Sequence, residues 1–151
     1  MKFLKIRSWI LGIFMFMFGT LKLFNPISGW FHIQLITSGI GDFAWPFGVA
    51  TEIVTGLILL GALIFEGKIY ARRFLNFIIF GSCLVVLTMI MAVYVHLQPK
   101  VPAYVLPLGI KPPVLPVSVL ILSAANIFYA IKRTKQPQIQ LSDLAVDSGE
   151  G

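Results

Sequence analysis

Cysteine, histidine and charge are all scarce in this 151-residue chain. The one cysteine, Cys83, lies within an apolar run. A single thiol closes no internal disulfide and lacks the paired cysteines of thiol–disulfide membrane enzymes, so Cys83 reads as a small packing residue. The two histidines, His32 and His96, do not fall at metal-ligand spacing with Asp42, Glu52 or Cys83, so no metal site is expected. The chain also carries no flavin, haem or iron–sulfur ligation pattern of its own. No residue set reads as catalytic.

Charged residues make up only 12% of the chain, about half the soluble average. Hydrophobic residues make up 58%, and the mean hydropathy is +0.90. That balance excludes a soluble domain, and one membrane domain uses nearly all of the chain. The thirteen Phe, five Met and three Trp supply lipid-facing and helix-packing surface. In a soluble protein the net charge of +6 would point towards nucleic acid. Here Lys and Arg gather at the ends of apolar runs, which the positive-inside rule explains, so no nucleic-acid partner is expected.

What is present is a set of long apolar runs, centred on 45–65, WPFGVATEIVTGLILLGALIF. Roughly 20 such residues cross a hydrocarbon core of about 30 Å. This run contains Glu52, and an unpaired ionised acid in lipid costs several kcal/mol, so Glu52 must face a packed interior or cavity and have a partner. Gly48, Glu52 and Gly56 repeat every four residues, leaving room above and below the acid for another helix. Further spans are read at about 8–24, 74–97 and 115–131. In the first, Gly12, Gly19 and Lys22 share one face. In the third, Gly81, Val85, Thr88, Ala92 and His96 share another, while Met89, Met91 and Tyr94 read as packing residues. Asn76 and Asn126 read as structural amides bonded between helices.

Between the first two spans, WFHIQLITSGI is too short to cross and reads as an interfacial or re-entrant helix with Trp30 at the headgroups. Between the last two, residues 98–116 hold six of the nine prolines, which predicts a stiff, extended loop. The fold class is therefore all-α: a four-helix transmembrane domain over 1–133, followed by a polar tail, 134–151, expected to be disordered. Nine Lys or Arg lie on the side of the termini and the second-to-third turn, against three (Lys22, Lys100 and Lys111) on the other. That bias predicts cytoplasmic termini.

This topology brings Lys22, Glu52 and His96 into the outer half of one bundle, with Glu52 roughly 9 Å below the outer end of its helix. His32 and Asp42, in the first outer loop, are placed to roof the same region. A Lys22–Glu52 pair would satisfy the acid, with His96 near enough to share a proton or bond a ligand. The plainer alternative stays open: Lys22 snorkels to the headgroups, His96 caps its helix, and Glu52 only sets helix register.

The segments GTLKLF, ATEIVTGLILLGALI and MAVYVHL together resemble the DoxX-like family of small four-helix bacterial membrane proteins. The resemblance covers roughly residues 6–132. It implies a bundle in the bacterial inner membrane and membership of an oxidoreductase complex, as in thiosulfate:quinone oxidoreductase or oxidant-defence assemblies. It also points to Lys22, Glu52 and His96. The expected function is then a subunit binding a quinone or similar small molecule near the outer face, beside a membrane or periplasmic partner or a second copy. Two other functions fit the residues: a non-catalytic assembly subunit docking through its proline-rich loop, and a small proton-coupled transporter.

Overall fold

The computed structural model describes residues 1–147, with side chains through Lys135. Five helices follow one another: α1 Lys2–Leu21, α2 Ile27–Thr37, α3 Trp45–Ile64, α4 Ala71–Leu97 and α5 Val114–Asp147. Among the described residues there is no strand. Four helices are long and apolar enough to cross a membrane; α2, at 11 residues or roughly 16 Å, is not. Only 28 to 39% of each crossing stretch is buried within the bundle. The rest turns residues such as Ile10, Phe80, Leu87 and Ile121 outwards, a surface suited to lipid and not to water. This is a multi-pass, all-α membrane protein.

The four spans form a ring in the order α1, α3, α4, α5, with the most extensive packing between α1 and α3 and between α4 and α5. Helices in lipid gain little from apolar contact alone, so close backbone approach decides their pairing. Glycine provides that approach. A Cβ at Gly56 would lie 2.6 Å from the Phe16 backbone nitrogen, and one at Gly19 would lie 2.9 Å from Glu52 Cβ. These two contacts run in opposite chain directions, so α1 and α3 are antiparallel. Leu11, Met15, Leu59, Phe74, Ile78 and Val85 fill the centre, each at most 1% exposed.

At the end of the bundle bearing the N-terminus, Lys5 pairs with Glu66 at 2.8 Å, and the Arg7 guanidinium lies 4.2 Å from the Tyr129 ring centroid. At the opposite end, α2 and the segment between α4 and α5 fold back over the ring. The proline-rich segment was expected to be extended; it contains two single 3-10 turns, Ala103–Val105 and Pro107–Gly109. Val101, Val105 and Leu106 bury themselves against Val95, Ile33 and Ile40, because proline stiffness leaves these side chains free to pack while helix is forbidden.

Several expectations are corrected. Cys83 is exposed, being one residue past the inward pair Gly81–Ser82 and so turned out of the ring. Met91 and Tyr94 are half-exposed, and Met89 alone of that trio is buried. Asn76 is exposed, since Leu75, Ile78 and Ser82 take the inward phase of α4 and Asn76 lies about 100° from Leu75. The first span also starts earlier, with Lys2, Lys5 and Arg7 inside α1. At the other terminus α5 is helical through Asp147, so backbone helix continues into the stretch read as a polar tail. The part of that tail from 148 to 151 lies outside the described residues.

Candidate ligand cavity

Each side chain of the site is placed by a packing decision elsewhere in the bundle. Gly19 brings α1 against α3 at the level of Glu52. Three residues on, at the C-cap of α1, Lys22 is then within reach of the acid. Lys22 Nζ lies 2.5 Å from Glu52 Oε1, with the side chains 16% and 8% exposed. Lys22 therefore turns inwards and does not extend to the membrane surface. One turn along α3, Gly48 leaves a gap that the Phe31 ring of α2 fills; a Cβ there would meet Phe31 Cζ at 2.9 Å. The ring centroid is 4.0 Å from Lys22 Nζ, so the ammonium is held between a carboxylate and an aromatic face. The two glycines flanking Glu52 thus admit two different helices, α1 at Gly56 and α2 at Gly48.

His96, in the last turn of α4, is 4% exposed. Its Nδ1–H donates to the Ala92 carbonyl at 2.8 Å, which fixes the ring and leaves Nε2 without a protein partner. Glu52 likewise keeps one oxygen, Oε2, buried and unpartnered. Both residues, with Lys22, line a cavity of about 660 Å³ between α1, α2, α3, α4 and the proline-rich segment. Its walls are mainly apolar and aromatic, including Phe14, Phe18, Trp30 and Phe31. Cavities of this volume, apolar with a few convergent polar groups, are the usual shape of small-molecule sites. The structure thus joins Lys22 to Glu52 and has His96 line the same cavity without bonding it to either.

The secondary candidates fall elsewhere. His32 Nδ1 pairs with Asp42 Oδ1, and the imidazole stacks on Trp45 with centroids 5.2 Å apart and planes 9° apart. Neither His32 nor Asp42 lines the cavity, because their mutual bond ties the middle of α2 to the start of α3 beside it. Asn126 lies in the half of the bundle nearer the N-terminus, fully buried, its Nδ2 donating to Ser8 Oγ at 2.9 Å and Ser82 Oγ at 3.0 Å. Asn76 joins no such network. Among the described residues no group of three or more His, Cys, Asp and Glu could hold a metal ion.

Three functional positions were not picked out from the sequence. Phe31 forms one face of the Lys22 site, and Gln34 Nε2 donates to the Val105 carbonyl, latching α2 to the segment above it. Lys111 Nζ donates to the carbonyls of Gln98 and Val101, closing the segment on itself. Gln34 had a visible signal, a lone amide in a short apolar helix. Lys111 had none, since its partners are backbone carbonyls that only the fold brings near. Comparison with family models, curated proteins and solved structures gave no match.

Proposed function

We propose that this chain is a DoxX-like integral membrane subunit that binds a quinone or similar small molecule in the cavity, at the outer face of a bacterial inner membrane. The carrying observation is a buried acid with one oxygen paired and one unpartnered, on the wall of an apolar cavity. A buried polar atom without a partner is costly, and a ligand that supplies the missing bond removes that cost. The aromatic walls suit a flat ring, and Glu52, Lys22 and His96 would hold its oxygens. When bound, a quinone supplies two-electron, two-proton redox chemistry. Lys22 fixes the carboxylate, Phe31 shields the pair from lipid and solvent, and His96 offers Nε2 as a second hydrogen-bonding atom. The chain acts within an oxidoreductase complex, because its sequence carries no ligation pattern for another redox centre. The excess of Lys and Arg at the termini and the α3–α4 turn supports cytoplasmic termini.

Purification in mild detergent, followed by mass spectrometry of bound lipids and proteins, tests this. A quinone in either redox state, together with a redox subunit, is the expected result. Glu52→Gln should lose the quinone while the protein still folds. A chain that purifies empty and binds no added quinone overturns the proposal.

A further inference from the structure

The cavity reaches from inside the ring of helices to its lipid-facing surface. Glu52 and His96 line it from the buried faces of α3 and α4. Phe47 and Thr51 of α3, with Leu87 and Met91 of α4, line it from the flanks of the same two helices and are exposed. Phe47, Leu87 and Met91 are 50 to 70% exposed. Side chains that line a cavity and are also open to the surroundings stand at its mouth, so a mouth lies between α3 and α4. Its depth follows from α4, whose 27 residues span roughly 40 Å against a hydrocarbon core of about 30 Å. Leu87 precedes the end of α4 at Leu97 by roughly 15 Å and so lies within the hydrocarbon. Deeper still, Gly81 shuts the gap: a Cβ there would lie 2.7 Å from Leu59 Cδ2. On the other flank of α3, Gly19 and Gly56 close α1 against it. Thr51 and Thr88 donate their hydroxyl protons to the Phe47 and Leu84 carbonyls at 2.7 and 2.9 Å, so neither brings a free donor to the mouth.

Tyr104 and Leu108 form a second exposed part of the rim, in the proline-rich segment beyond the end of α4. A hydrocarbon tail leaving there would meet water, whereas one leaving between α3 and α4 stays in lipid. We infer that the cavity takes its ligand sideways from the membrane. The ligand is a lipid-borne amphiphile whose polar ring lodges beside Lys22 and His96. Its hydrocarbon tail leaves between α3 and α4, past Thr51 and Leu87. This rests on the quinone site proposed above and adds the class of quinone, one with a long tail, and the route by which it enters.

The test is photocrosslinking on the full-length protein in lipid nanodiscs, using a decyl-tailed benzoquinone with a diazirine part-way along the tail. Decyl benzoquinone without the diazirine serves as competitor, and peptide mass spectrometry locates the label. Label that the competitor removes is expected on residues 47–51 and 87–91. Competed label on 98–113, or anywhere else but the mouth, overturns the inference and leaves the quinone site standing. Failure of the competitor to remove any label overturns the site and the route together. Thr51→Trp and Leu87→Trp fill the mouth from either side. Each should raise the competitor concentration that halves the label roughly tenfold, the size of an overpacking effect. Ile121→Trp, on α5 and outside the cavity lining, is equally open to lipid and should leave that concentration unchanged. No change in either mouth variant, or an equal change in all three, overturns the route between α3 and α4.

Discussion

The two halves of this bundle each bury a half-bonded polar side chain, but only one of them sets it beside a cavity. Near the N-terminus the helices close on each other, and Asn126 bonds Ser8 and Ser82 across three helices while its own Oδ1 stays buried without a partner. Near the α4–α5 segment the helices part, and α2 and the proline-rich segment cover the gap without filling it. There the buried acid is half satisfied as well, and its residue lines the cavity. Both halves carry interhelical polar bonds, so polarity alone does not mark a site. A half-bonded buried side chain in the lining of a cavity does.

Four substitutions sharpen that contrast, from the largest expected effect to the smallest. Lys22→Met leaves the Glu52 carboxylate buried without its counter-charge and should cost about 3–5 kcal/mol, read as a fall in thermal unfolding temperature in detergent. Adding Glu52→Leu to it should recover most of that loss, because an apolar pair replaces the stranded charge. Recovery of nothing would mean that Lys22 acts through its contact with Phe31 instead.

Gly56→Ala puts a methyl group against the Phe16 backbone, where neither helix can yield cheaply, and should cost about 1–3 kcal/mol by the same measurement. Gly61→Ala is its control, since nothing lies within 4 Å of the added Cβ, and it should be neutral or slightly stabilising. Asn126→Leu removes two interhelical bonds and should cost about 1 kcal/mol while leaving ligand binding in the other half intact. A binding defect of equal size would show that the halves are coupled. Gln34→Leu breaks the bond between α2 and Val105, worth roughly 0.5–1.5 kcal/mol. Its expected signature is local: faster hydrogen exchange over residues 98–113 with little change in global unfolding. Uniform destabilisation would show instead that the segment is an integral part of the core.

Much of the site was legible because membrane sequences punish polar residues selectively. Glu52 stood out as an acid in an apolar run, and Lys22 and His96 stood out by the end of the bundle that the topology assigned them. Asn126 was legible for the same reason. Asn76 carried the same signal and was misplaced, because in lipid an apolar outer face and an apolar core look alike, so periodicity does not tell inward from outward. Cys83, Met91 and Tyr94 were misjudged on the same ground. His32 and Asp42 were placed correctly in the first loop but assigned to the wrong neighbours, since a bond between two loop residues has no sequence period.

The sequence by itself determined the number of spans, the short helix between the first two, and the acid that needs a partner, because length and hydropathy act locally on each segment. Only the tertiary structure decided which oxygen of that acid is taken, that Phe31 faces the ammonium that takes it, and that a proline-rich connection covers a cavity. Those outcomes depend on atoms separated by tens of residues meeting within a few ångströms. Such meetings follow from where glycines let helices touch, a property of pairs of helices and not of any one stretch of chain.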